Sequence, residues 1–181
     1  MTNLPILTTH SGVDINVAAP NFEHILIEDI AHALSMTCRY GGHCDEFYSV
    51  ADHCLNMYNY FMSKDQSVNA YIALMHDATE AYLCDIPRPI KPFIVGYQEM
   101  EDNLAKVINK KFKVPEMTDD VKVIDYHIIY NEVFRVSNHL PDWLDNYENC
   151  GVYINVSKTP KVAKMEFLEA FDEVRNILDI V

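Results

Sequence analysis

Two histidines and two aspartates occupy positions where helices ought to be packing apolar side chains. His53 lies in "FYSVADHC", His76 and Asp77 are adjacent in "LMHDATEAYL", and Asp125 lies in "VKVIDYHIIYNE". Each is embedded among apolar residues, where a bare charge is costly. Two imidazoles and two carboxylates from three helices can cancel that cost jointly by binding one divalent cation. Mixed nitrogen and oxygen ligation of this kind suits Mn²⁺, Co²⁺, Fe²⁺, Ni²⁺ or Zn²⁺, and Mg²⁺ less well. It leaves positions on a six-coordinate ion for water and a phosphate oxygen. Glu80 follows His76 by four residues and Asp77 by three, so a continuous helix puts it on their face. A carboxylate beside a metal, but not needed as a ligand, can orient or deprotonate a water. Asp85 lies just past the helix end, held by the stiff "DIPRP" turn, and can donate a proton to a leaving oxygen.

Taken singly, each residue has an ordinary reading. A lone helical histidine is usually packed or hydrogen-bonded in a core. His-Asp dipeptides occur by chance, and an isolated Asp125 fits a surface position or a cap. An ordinary salt bridge is harder to invoke, because no Lys or Arg lies near His76 in sequence. The joint pattern is much more specific than its parts.

Charge bounds the partner. The formal net charge is −13, and so negative a surface repels nucleic-acid phosphates and anionic lipid. A small nucleotide is favoured over a polymer, and an anionic substrate then needs local positive groups or a metal. Arg39 offers a fixed fork suited to phosphate. His43, Arg88 and Lys91 are the other nearby cations, although Arg88 and Lys91 also fit a solvated Pro-rich loop. His10, His24, His32, His127 and His139 read as structural or surface residues. Trp143 and the tyrosines around it read as core or subunit contact. The aromatic-rich stretch from Trp143 to Tyr153 is the candidate surface for a homo-oligomer.

The elements that must position these groups are helical. The 181 residues suit one domain spanning 1–181, with 49% hydrophobic and 23% charged residues. "ILTTHSGVDINVAAP" predicts a short β-hairpin or extended arm. Helices are predicted over "IEDIAHALSMTCRY", "YSVADHCLNMYNYFM" and "SVNAYIALMHDATEAYL", the last with Ser67 as N-cap. "DIPRPIKP" forces an extended path, because its prolines remove backbone donors. "YQEMEDNLAKVINKKF", "MTDDVKVIDYHIIYNEVFRV" (capped by Thr118 or Asp119) and "KVAKMEFLEAFDEVRNIL" complete an all-α set of about six helices. Residues 137–157 are the least helical part.

No apolar run approaches the roughly 18 residues of a transmembrane helix, and no signal peptide is visible. A cytoplasmic location is the default expectation. Five cysteines without a CxxC pair argue against a disulfide framework or a thiolate zinc knuckle.

The pattern H…HD…D, here His53, His76-Asp77 and Asp125, resembles the HD superfamily of metal-dependent phosphohydrolases. "RYGGH", "FYSVADHC", "LMHDATEAYLCDIPRPIKP" and "VKVIDYHIIYNE" sharpen the resemblance. They are similar to the small HD hydrolases that include bacterial deoxyribonucleoside 5′-monophosphatases and bacteriophage dATP triphosphohydrolases. The resemblance runs from Ile27 to Glu132 and implies an HD-domain helical bundle. It implies His53, His76, Asp77 and Asp125 as metal ligands, Glu80 as the residue that positions the nucleophilic water, and Asp85 as a catalytic assistant. Arg39 matches an arginine that binds the substrate phosphate. Tyr40 stands where the monophosphatases usually carry Trp, as an aromatic surface for sugar or base.

The expected function is metal-dependent hydrolysis of (deoxy)nucleotides. Water attacks the α-phosphorus and releases nucleoside plus phosphate or triphosphate. A signalling-nucleotide phosphohydrolase and a non-catalytic nucleotide- or metal-binding regulator are the alternatives. Glu80 and Asp85 argue against the idle one.

Overall fold

A computed structural model describes residues 5–157 and 159–180 of the chain. It is an all-α helical bundle with a short antiparallel hairpin at the N-terminus. Strands β1 (Ile6–Thr8) and β2 (Asp14–Asn16) pair in the register Ile6 with Asn16 and Leu7 with Ile15. The helices are α1 (Ile27–Met36), α2 (Val50–Met62), α3 (Ser67–Met75), the four-residue α4 (Glu80–Leu83), α5 (Tyr97–Phe112), α6 (Asp119–Val136) and α7 (Pro160–Ile177).

Helix α2 is the centre of the bundle. It packs against α1, α3 and α7, and ten of its thirteen residues are buried. Its start is fixed by a capping box, in which Ser49 accepts from the Asp52 N–H and the Asp52 carboxylate accepts from the Ser49 N–H. The expected inward residues Val50, Cys54, Met57, Tyr58 and Phe61 are all buried. A fully buried side chain such as Phe61 contributes roughly 1.5–3 kcal/mol. Thr118 caps α6 and Thr159 caps α7 through side-chain oxygens. Helix α5 spans the expected residues.

Four expectations are corrected. The first helix ends at Met36 rather than continuing to Tyr40. Cys38 leaves it to form an antiparallel bridge with Ser49, supported by Arg39 N–H to the Tyr48 carbonyl (2.8 Å). The helix expected over 67–83 breaks after Met75. The His76 ring takes the Ala73 carbonyl (2.7 Å) that an α-helix would offer to the Asp77 N–H, and short-range bonds such as Glu80 N–H to the Asp77 carbonyl (2.9 Å) replace the helical ladder. Ser67 is the first helical residue there, not the cap, which falls at Gln66. The segment from Asp85 to Pro92 is extended only at its start, then turns at Arg88–Ile90 and enters a 3₁₀ turn over Lys91–Phe93.

Residues 137–157 hold one 3₁₀ turn, Asp142–Asn146. They are nonetheless tied to α2: Asn155 exchanges hydrogen bonds with the Asn56 side chain (both 2.9 Å), and Ser157 N–H reaches Asp52 (2.9 Å). Trp143 is half-exposed and does not belong to the core. Among the described residues no helix is long and apolar enough to cross a membrane.

Candidate metal centre

Helices α2 and α6, with the turn after α3, bring together His53, His76 and Asp125, a group that could hold a metal, and Asp77 Oδ2 lies beside both imidazoles. His53 Nε2 lies 3.2 Å from His76 Nε2, 3.5 Å from Asp77 Oδ2 and 3.4 Å from Asp125 Oδ1. His76 Nε2 lies 3.3 Å from Asp77 Oδ2 and 3.5 Å from Asp125 Oδ1. Neighbouring atoms bound at about 2.1 Å to one ion stand about 3.0–3.4 Å apart, so the separations among His53, His76 and Asp125, and from each imidazole to Asp77, fit a single cation.

The proton arrangement decides what can sit between them. His53 Nδ1–H donates to Glu132 Oε1 (2.6 Å), and His76 Nδ1–H donates to the Ala73 carbonyl (2.7 Å). In the neutral rings both Nε2 atoms therefore carry lone pairs, and these face each other and two carboxylate oxygens. Four lone-pair atoms at this range repel unless a cation lies among them. Protons meet part of that demand. Burial opposes a charged His76, but Asp77 and hydrogen bonds to Asp125 and Asp77 outweigh it and hold the ring well above its ordinary pKa. Asp77 is depressed although burial opposes this, chiefly by His76, and Asp125 is depressed against burial by hydrogen bonds to His53 and His76. The donor set fits a divalent metal. A competing cluster of Cys54, His76 and Asp77 fits worse, because burial pushes the Cys54 thiol up to about 11 and away from the thiolate a metal needs.

No protein-family model matches the chain. Over 130 residues it is 38% identical to YfdR, an uncharacterized protein of Escherichia coli strain K12, with 71% of each chain covered. The chain belongs to the YfdR family. It is also 35% identical over 111 residues to an uncharacterized protein of Rhodobacter capsulatus, covering 58% of this chain and 57% of that one.

In this YfdR-family chain the residue that organises the centre is one the motif reading passed over. Glu132 is fully buried, and both its oxygens are saturated. Oε1 accepts from His53 and from Tyr48 (2.9 Å), and Oε2 accepts from Arg39 (3.2 Å) and from the Tyr40 hydroxyl. Burial works against its charge, but Arg39, His53 and these bonds bring its pKa down to about 2. A carboxylate behind a ligating histidine fixes the ring's tautomer and orientation. A sequence signal was present. Glu132 stands four residues after Ile128 on the buried stripe of α6 that includes Val121, Ile124 and Val136, where a lone carboxylate requires a partner.

The predicted substrate residues divide. Arg39 is largely buried, 3.7 Å from Asp77 and bound to Glu132, with its Nε unpartnered among the described residues. Tyr40 is inward too, held at a left-handed φ of 59° beside Gly41 and Gly42 at 59° and 80°. Lys91 joins Glu80 Oε1 (3.3 Å) to Glu101 (3.1 Å). Arg88 donates to Asp125 Oδ2 (3.0 Å) and lies over the Tyr126 ring. His43 is exposed and lines a cavity of about 220 Å³ with Cys44, His139 and Trp143, apart from the ligand cluster.

Glu80 and Asp85 lie at the rim. Glu80 is buried, and its Oε2 has no hydrogen-bond partner among the described residues. Burial, then Asp77 and Asp85, push its carboxyl up to about 9. The short-range turn contributes, because i and i+3 side chains eclipse in 3₁₀ geometry and Asp77 and Glu80 stand in that relation. Cys84 closes α4 at φ 65°, ψ 158°, a strained conformation that turns the chain back. Asp85 thereby comes within electrostatic reach of Arg39, Asp77 and His53, and its carboxyl is raised, mainly by burial.

Proposed function

We propose that the chain is an HD-type metal-dependent phosphohydrolase acting on (deoxy)nucleotides, by water attack at the α-phosphorus. The observation that carries this reading is the convergence of His53, His76, Asp77 and Asp125 on one point, with both Nδ1–H groups turned away to other acceptors. Those four side chains hold the ion. When bound, a divalent metal would polarise a phosphoryl oxygen and a water, and its charge would oppose the burial and the acidic neighbours that keep Glu80 protonated.

The chain's own residues supply the rest. Glu80 Oε2, buried and without a partner among the described residues, takes the proton of the attacking water. Water oxygen bonds to phosphorus as the bond from phosphorus to the 5′-oxygen breaks. Asp85, raised above its ordinary range, returns a proton to that leaving oxygen. Arg39 directs its guanidinium edge toward Asp77 at the ligand cluster, where a phosphate oxygen can meet it. Lys91 is the second cation at the rim.

A nucleotide panel with Co²⁺, Mn²⁺ and Mg²⁺, reading phosphate and triphosphate separately, tests the proposal. The expected result is hydrolysis that Co²⁺ or Mn²⁺ stimulates, with nucleoside as the second product. Purified protein that holds no transition metal and gains no activity from added Co²⁺ or Mn²⁺ overturns it.

A further inference from the structure

Cys38 and Cys44 bracket the turn that carries Arg39 and Tyr40, and their Sγ atoms stand 3.7 Å apart. Both are partly exposed free thiols, whereas Cys54 is buried. Disulfide bonding requires about 2.05 Å, so the two sulfurs must approach by about 1.7 Å. The Cys38 end is fixed by its bridge to Ser49 and by the Arg39 and Tyr40 side chains on Glu132. Beyond Cys44, Asp45 is held by its N–H bond to the Val136 carbonyl (2.9 Å). Gly41 and Gly42 lie between the fixed ends, and a Cβ added at either meets nothing closer than the His43 ring at 3.8 Å. The closure can be absorbed there. Cys44 also lines the 220 Å³ cavity next to Tyr40, His43 and Trp143, and Cys38 is itself partly exposed to a small oxidant.

We propose that Cys38 and Cys44 form a reversible disulfide with hydrogen peroxide as oxidant, and that this bond braces the Arg39–Tyr40 turn on Glu132. Burial, then its contact with Cys38, pushes the Cys44 thiol up to about 11, so Cys38 makes the first attack. Its sulfur displaces hydroxide from peroxide and becomes a sulfenic acid, and the thiol proton leaves with the hydroxide as water. Cys44 sulfur then bonds to the sulfenic sulfur, the S–O bond breaks, and the oxygen departs as a second water with the Cys44 proton. Two thiols are oxidised and one peroxide is reduced. A dithiol reductant reverses the change, as expected of a transient disulfide in a reducing compartment. The inference does not depend on the hydrolytic reading.

Full-length protein carrying Cys84→Ser, which removes an exposed thiol, is treated with hydrogen peroxide and followed by thiol titration, peptide mass spectrometry and thermal melting. The expected result is loss of two thiols per chain, a Cys38–Cys44 cross-linked peptide, and a melting midpoint raised by about 5 °C. Dithiothreitol reverses all three, and adding Cys44→Ser abolishes the cross-link. Sulfur oxygenation without the cross-link, or a cross-link to another cysteine, overturns the pairing. A Cys38–Cys44 bond that leaves the midpoint unchanged or lowers it overturns the brace.

Discussion

On its Nδ1 side His53 meets Glu132, which also takes hydrogen bonds from Tyr48, Tyr40 and Arg39, all inside the protein. On its Nε2 side it meets His76, Asp77 and Asp125, with Glu80 and Asp85 beyond them, and there the pairing is incomplete. Exposure follows the same gradient: the His53 and Glu132 side chains are 0% exposed, His76 4%, Asp77 20% and Asp125 26%. A buried carboxylate with four donors has its pKa depressed, whereas a buried carboxylate with one oxygen unpartnered and two acidic neighbours has it raised. The same residue type is thus a fixed support on one side and, in the proposed hydrolysis, a proton acceptor on the other.

The largest effect should come from removing what both sides serve. Asp77→Asn keeps the shape of the side chain and should abolish hydrolysis, with bound metal falling in elemental analysis while the fold persists by circular dichroism. Chelation should give the same loss, reversed by Mn²⁺ or Co²⁺. If the asparagine variant keeps its metal, Asp77 is not a ligand.

Glu80→Ala tests the outer side alone. It should lower kcat by about 10²–10⁴-fold with bound metal unchanged. Loss of metal in step with loss of rate would make Glu80 itself a ligand and erase the contrast drawn between the two sides.

Glu132→Gln tests the inner side. Metal affinity, titrated calorimetrically on apo protein, should weaken about 10–100-fold. Stability should fall by about 3 kcal/mol, because Arg39 loses a buried charged partner. Unchanged affinity in a folded variant would reduce Glu132 to a packing residue.

Lys91→Met should have a smaller effect and sharpen the picture by pH. Lys91 lowers the Glu80 pKa, which burial, Asp77 and Asp85 raise. Removing its charge raises Glu80 further, so the acidic limb of kcat/KM should move to higher pH. Movement the other way would mean that Lys91 acts on substrate rather than on Glu80. His43→Ala, at an exposed site away from the ligands, should change stability by no more than about 0.5 kcal/mol and leave metal binding intact.

The clustering of the candidate ligands was legible because each violates its surroundings: a charge in an apolar helical stripe demands a partner, and four such violations point to a common one. Helix α5 was legible because its amphipathic repeat is clean, and in the structure Gly96 and Lys113, both left-handed, bound it. The break after Met75 was not, because nothing in "ALMHDATE" forbids a helix. It depends on how the His76 ring orients, with Nδ1–H on the Ala73 carbonyl and Nε2 facing His53, Asp77 and Asp125. Glu132 obeyed the same rule as the ligands, but its partners Arg39, Tyr40 and Tyr48 lie 84–93 residues away in sequence. Spacing along one helix says that Glu132 needs donors, not where they come from. Arg39 and Lys91 were placed near the site by their charge, whereas their carboxylate partners required the fold.

The short-range turn between Met75 and Glu80 has a consequence for how this chain can change length. Each residue added to such a turn rotates the succeeding backbone by about 120°. One insertion or deletion between Asp77 and Glu80 would therefore swing the Glu80 carboxylate out of the cleft while leaving α2 and α6 untouched. The surface turn at Asp142–Asn146, where Trp143 is half-exposed, has no comparable constraint. Length variation among relatives should accumulate in 137–150 and be absent from 76–85, so an alignment gap in the latter stretch would mark a chain that keeps the proposed metal ligands but has lost the proposed chemistry.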